Sequence, residues 1–185
     1  VNNSRKEVTQ DIFDFYLSQT KYINNWDLVD LSAPQIVGRF LLDKERDIIY
    51  RLAESDLLWD NRIAIVSTFT FIRNNDLDDT YKLSLKMMHH KHDLMQKSIG
   101  WMLREAGKRD TKRLYDFVTE HKSVMPRTML RYSIEKFNAD TRKELMKQSP
   151  NLRKEIKDIK VGTNETCVYF KNGSTILAIN ASENT

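Results

Sequence analysis

From residue 7 to about 148 the apolar side chains return every three or four positions, in segments of about 10 to 18 residues separated by short polar links. That period belongs to an α-helix with one buried face. A chain that repeats it so often has few ways to hide those faces other than stacking helices on one another. Only 5 glycines and 3 prolines interrupt the 185 residues, too few for the turns of a β-sandwich or barrel. The spacing predicts a first helix over 7–20, with Ile12, Phe13, Tyr16 and Leu17 on one face, and a second from about 25 to 42. Pro34 lies inside the second and kinks or splits it. A short helix over 47–53 precedes one capped by Asp60, which carries Ile63, Ile65, Val66, Phe69 and Ile72 and stops near Asn74 and Asn75. Asp78 or Asp79 opens a helix to about Met88, and the segment 92–106 ends at Gly107, read as a C-cap. Asp110 opens another, to about Glu120. Pro126 suits the first turn of a helix ending near Phe137, and 139–148 forms the last.

Helix pairs recur at roughly 35 to 40 residues, the period of HEAT-like repeats. The expected fold is therefore all-α, a right-handed α–α superhelix of HEAT-like helical repeats over residues 1–159. An irregular helical bundle is the plainer alternative. From residue 160 to 185 the composition changes. Cys167–Phe170 and Thr175–Ile179 read as strands around Asn172-Gly173, a hairpin turn signal. This tail is expected to be a β-hairpin-like appendage with nothing obvious to pair with among helices.

The single cysteine, Cys167, excludes an internal disulfide framework. With one cysteine a reducing compartment is the default, and no apolar run is long enough to span a bilayer; a soluble, cytoplasmic monomer without membrane contact is expected. The first residue is Val1, which points to a fragment or a processed product. The net charge of +4 permits a polyanionic partner without requiring one.

Three segments concentrate the candidate chemistry. In Asn24-Asn25-Trp26-Asp27-Leu28-Val29-Asp30 an asparagine caps the helix. Trp26 and Asp30, four residues apart, then share one face, while Leu28, Val29 and Leu31 turn toward a neighbouring helix. The second segment is Trp59-Asp60-Asn61-Arg62. The third, Lys97-Ser98-Ile99-Gly100-Trp101-Met102-Leu103-Arg104-Glu105, places Lys97, Trp101, Arg104 and Lys108 on one face, with Arg109, Lys112 and Arg113 close by. Residues at equivalent places on successive inner helices line one surface of a solenoid, so Trp26, Asp30, Arg62, Trp101 and Arg104 are expected to converge. A basic stripe holding an aromatic ring suits a phosphate backbone and something to stack on. Core tryptophans beside solvated charges are the bland reading of the same residues. His89, His90 and His92 lack the ligand number and spacing of a metal site and suit a helix C-terminus; no metal or cofactor is expected.

In these three segments the chain resembles the AlkD-type DNA alkylation repair family of HEAT-like-repeat DNA glycosylases, through N-W-D-L-V-D at 25–30, W-D-N-R-I-A-I-V at 59–66 and K-S-I-G-W-M-L-R-E at 97–105. The resemblance covers roughly residues 7–148. It implies more helices ahead of the first segment than this chain carries. It further implies that Trp26 and Trp101 pack against the sugar-phosphate backbone around a lesion, that Asp30 is the catalytic acid, and that Arg62 holds a phosphate. The implied substrate is duplex DNA carrying N3-methyladenine or N7-methylguanine, recognised without a base-flipping pocket. Elementary chemistry agrees. A cationic purine is already a good leaving group, and a carboxylate stabilises the charge that develops on the deoxyribose, worth about 3 to 4 kcal/mol. Each indole face adds about 0.5 to 2 kcal/mol of cation–π attraction. A non-catalytic DNA-binding or scaffold protein is the alternative, and a protein-binding solenoid the third reading.

Overall fold

A computed structural model of the chain describes residues 7–147 with their side chains, and the backbone of three strands beyond them. The chain divides into two compact units, Val1–Met146 and Lys147–Thr185.

The first unit is an α–α superhelix of HEAT-like repeats. Its helices, among the described residues, are α1 (Gln10–Ser18), α2 (Trp26–Ser32), α3 (Asp47–Ala53), α4 (Leu58–Arg73), α5 (Asp78–Lys86), α6 (Asp93–Gly107), α7 (Thr111–His121), α8 (Arg127–Ser133) and α9 (Ala139–Leu145). Pro34 splits the second expected helix: α2 ends at Ser32, and a π-helical turn follows over Pro34–Gly38. Asn75 ends α4 by adopting φ 62°, the left-handed conformation asparagine tolerates better than most residues.

Helices α2, α4, α6 and α8 stack in sequence as one layer, and α3, α5 and α7 pack against α4 and α6 from the other side. Burying both flanks makes α4 nearly all core: Ile63, Ala64, Ile65, Val66 and Phe71 are fully buried. The register of the stack is set by contacts between equivalent positions. Arg62 bonds to Asp30, 32 residues earlier, and to the Leu94 carbonyl, 32 residues later. From helix start to helix start the layer repeats after 32 residues (Trp26 to Leu58), 35 (Leu58 to Asp93) and 34 (Asp93 to Arg127), at the lower edge of the expected 35 to 40. Gly100 lets α6 close on α8, since a Cβ there would lie 2.6 Å from the Tyr132 Cβ and 2.7 Å from the Met129 carbonyl.

Several local expectations change. Gly107 is the last residue of α6 rather than its cap. Its missing side chain makes room for Leu114 of α7, whose Cδ2 would lie 2.2 Å from a Cβ at 107. Asp60 does not cap α4. It lies inside the first turn, buried, and accepts from the Ser55 hydroxyl at 2.7 Å. Pro126 is the N-cap of α8 rather than its first residue. Asn25 occupies the N-cap position of α2, but its side chain makes no capping hydrogen bond. Of the apolar residues of α2, Val29 is fully buried while Leu28 and Leu31 are 52% and 76% exposed. Position 31 is equivalent, one register step on, to the fully buried Ile63. Leu31 belongs to the first helix of the described stack and lacks the cover that α2 gives α4.

The second unit is a three-stranded antiparallel sheet in the order β1 (Ile156–Val161), β2 (Glu165–Phe170), β3 (Thr175–Ile179). Strands β2 and β3 pair from Glu165↔Ile179 to Tyr169↔Thr175. The Asn172-Gly173 turn itself lies outside the described residues. The hairpin does have a partner: β1, which straddles residue 160, pairs along β2 with a register shift between Ile156 and Asp158.

Candidate nucleic-acid interface

The short α2 presents Trp26 half exposed and Asp30 four residues on, so the two share a face. The Asp30 carboxylate is engaged at both oxygens. Arg62 Nε donates to Oδ1 at 2.9 Å and Arg62 Nη2 to Oδ2 at 2.9 Å, a bidentate ion pair. The third arm, Nη1, donates to the Leu94 carbonyl at 2.7 Å. Arg62 is buried, and Asp30 keeps a 15% exposed edge. One side chain of α4 thus ties α2 to α6. Its guanidinium faces inward to a carboxylate and a carbonyl, not outward to a phosphate.

The neighbours of Arg62 in the second segment brace the same region. Asn61 donates from Nδ2 to the carbonyls of Leu52 at 2.9 Å and Ser55 at 2.8 Å, which holds the α3–α4 turn. Its Oδ1 lies 3.1 Å from His90 Nε2. Burial, and then the nearby His92, push the His90 pKa down, so its neutral ring is favoured. His92 Nδ1 accepts from Leu94 N at 3.2 Å and caps the N-terminus of α6. These histidines therefore shape the α5–α6 turn, and His92 serves a helix N-terminus rather than the expected C-terminus. Among the described residues no three metal-ligating side chains gather, and no helix is long and apolar enough to cross a membrane.

On α6, Trp101 is partly buried with its ring centroid 5.8 Å from that of Phe69 on α4. That pair has the same 32-residue offset as Asp30–Arg62. Trp101 accordingly lies seven residues beyond Leu94 on the same helix face, roughly 10 Å along the axis at 1.5 Å per residue. Trp26 lies one turn before Asp30. Along the stack the Asp30–Arg62 pair therefore falls between the levels of the two indoles.

The other cations of the expected basic stripe have carboxylate partners. Arg104 bonds to Glu135, just past the C-terminal end of α8, and to Glu105 at 3.3 and 3.4 Å. The Glu135 carboxyl is held below its ordinary range, first by Arg104 and then by Lys136. Lys108 reaches both oxygens of Glu105, at 2.8 and 2.7 Å. Lys97 pairs with Asp93 at 2.6 Å and holds that exposed carboxyl low. The last two pairs are exposed, follow i,i+3 and i,i+4 spacing, and cost little to open. Of the Arg104 contacts, the one to Glu105 stays on α6 and is partly buried, and the one to Glu135 crosses to the next repeat.

Sequence reading missed Phe69 and Arg73. Phe69 is one of the apolar residues of its helix, but it is only partly buried: its ring lies 5.8 Å from that of Trp101, centroid to centroid, and under the Arg73 guanidinium, 4.3 Å from the ring centroid. The 32-residue offset from Trp101 was the available signal. The Leu94 carbonyl had none, because every residue offers a backbone oxygen.

No curated protein sequence matches the chain. The model of the DNA alkylation repair enzyme family matches residues 1–137, which takes in α1 to α8 and every candidate residue above. The chain belongs to the DNA alkylation repair enzyme family, which gives it a role in repairing alkylated DNA.

Proposed function

We propose that the protein is a DNA glycosylase that excises cationic alkylated purines, N3-methyladenine and N7-methylguanine, by hydrolysing the N-glycosidic bond in duplex DNA. The observation that carries this reading is the Asp30 carboxylate, gripped at both oxygens by Arg62 yet keeping an exposed edge beside the half-exposed Trp26. Two parallel hydrogen bonds fix the plane and the charge of a carboxylate. Such a group meets the oxocarbenium-like transition state without reorganising, and its remaining lone pairs orient the attacking water. Arg62 is assigned the positioning of Asp30, in place of the phosphate-holding role expected from the sequence. Three of its five N–H groups are engaged inside the fold and the side chain is buried, which leaves little of it to meet a phosphate. Trp26 and Trp101 pack against the sugars on either side, and Lys97, Arg104 and Lys108 face the backbone, the two lysines by releasing exposed pairs. The modest electrostatic contribution limits the enzyme to bases that already carry a positive charge.

The second reading, a DNA-binding protein without catalysis, is favoured by the same ion pair: a carboxylate neutralised by arginine is also what a structural tie requires. Release of free base from duplex DNA carrying N7-methylguanine separates the two. The glycosylase reading expects release by the wild type and roughly a 100- to 1,000-fold loss in Asp30→Asn. Salt-sensitive DNA binding without base release selects the binder, and absence of both selects a protein-binding solenoid.

A further inference from the structure

Arg73 and Arg109 differ from the other cations near Trp101. Both are exposed, and among the described residues neither has a carboxylate partner. They border a hollow of about 260 Å³ between the C-terminal ends of α4 and α6, lined also by Phe69, Ile72, Glu105 and Lys108. The Arg73 guanidinium lies over the Phe69 ring, 4.3 Å from its centroid, within cation–π range. Phe69 continues into Trp101 at 5.8 Å. Glu105 is the only acid in the lining, and its charge is already shared between Arg104 and Lys108. Three cations against one carboxylate leave an excess of positive charge. The two helix C-termini subtract about half a charge each, which does not cancel that excess.

We propose that this hollow is a phosphate-binding site for the backbone of duplex DNA, with Arg73 and Arg109 as the two ligands of one phosphodiester segment. The planar guanidinium fork matches the oxygens of a phosphodiester. The adjoining Phe69 and Trp101 rings offer apolar surface to the sugars on either side, which a free inorganic anion would not use. This inference rests on the reading that the chain binds DNA, but not on its being a glycosylase.

The test is the salt dependence of binding to an unmodified duplex, measured by fluorescence anisotropy with the full chain. No chemistry is needed, so the result is independent of base excision. Each phosphate contact contributes about 0.9 to the slope of log K against log salt. Arg73→Gln and Arg109→Gln are each expected to lower the slope by about one, and the double variant by about two. Between 50 and 200 mM salt the double variant should then lose roughly tenfold less affinity than the wild type. Lysine at both positions should restore most of the slope, while Arg51→Gln, on α3 in the other layer, should leave it unchanged. Equal melting temperatures check the fold. A double variant with the wild-type slope overturns the proposal, whatever the excision assay shows. A reduced slope in a protein that releases no base keeps the site and discards the glycosylase. A wild type that binds no duplex even at 20 mM salt removes both.

Discussion

The Asp30–Arg62 pair serves both the fold and the proposed chemistry, so its energetic role must be known before any activity loss is interpreted. Replacing Asp30 by alanine leaves a buried guanidinium with only the Leu94 carbonyl as acceptor. Breaking a fully buried pair from one side costs about 3 to 5 kcal/mol. The Asp30 edge is 15% exposed, so water recovers part of this, and about 2 to 4 kcal/mol is expected. Arg62→Met should cost less, because the carboxylate left behind reaches solvent. The double variant Asp30→Ala/Arg62→Met should be less destabilised than the two single losses added together, with a coupling of about 1.5 to 3 kcal/mol. Asp30→Asn retains an oxygen for one of the two donors and should lose only about 1 to 2 kcal/mol, which keeps it usable in the excision assay. Urea unfolding followed by far-UV circular dichroism gives all four stabilities on one m-value. A coupling below about 0.5 kcal/mol would refute the reasoning: Arg62 would then be free to leave Asp30, and the phosphate-holding role would return.

Two further predictions follow the register and the titrating groups. Leu31→Ala should change stability by less than about 1 kcal/mol, since Leu31 is mostly exposed, while Ile63→Ala, at the equivalent but fully buried position, should cost about 2 to 5 kcal/mol; similar losses at both sites in urea unfolding would contradict the stacking register. The folded His90 pKa is depressed below its ordinary 6.5, so as pH falls through that value the unfolded chain takes up the proton first. Stability from neutral His90 is therefore complete above about pH 6.5 and declines as pH falls toward the folded pKa. The urea midpoint should drop between pH 7.5 and 5.5 in the wild type and drop less in His90→Gln, and parallel curves for the two proteins would show that His90 contributes nothing.

The amino-acid sequence by itself determined the elements that depend on near neighbours. The 3.6-residue period marked the helices, Asp110 appears as the cap of α7 with its carboxylate accepting from Arg113 N, and Pro34 appears as the break after α2. The motifs around Trp26, Arg62 and Trp101 identified the family that the match over residues 1–137 establishes. Tertiary structure alone decided which charge meets which. Glu105 stands one position from Arg104 in the chain, but nothing in the sequence marks Glu135, 31 residues on, or Asp30 facing Arg62 across 32. Helical period fixes a residue's angle on its own helix, whereas cross-repeat pairing depends on how far each helix slides along the next. Small residues such as Gly100 set that slide, and so do loop lengths. Exposure followed the same rule: Leu31 and Ile63 are equivalent apolar positions, and only the stacking of α2 on α4 leaves one in water and the other in the core.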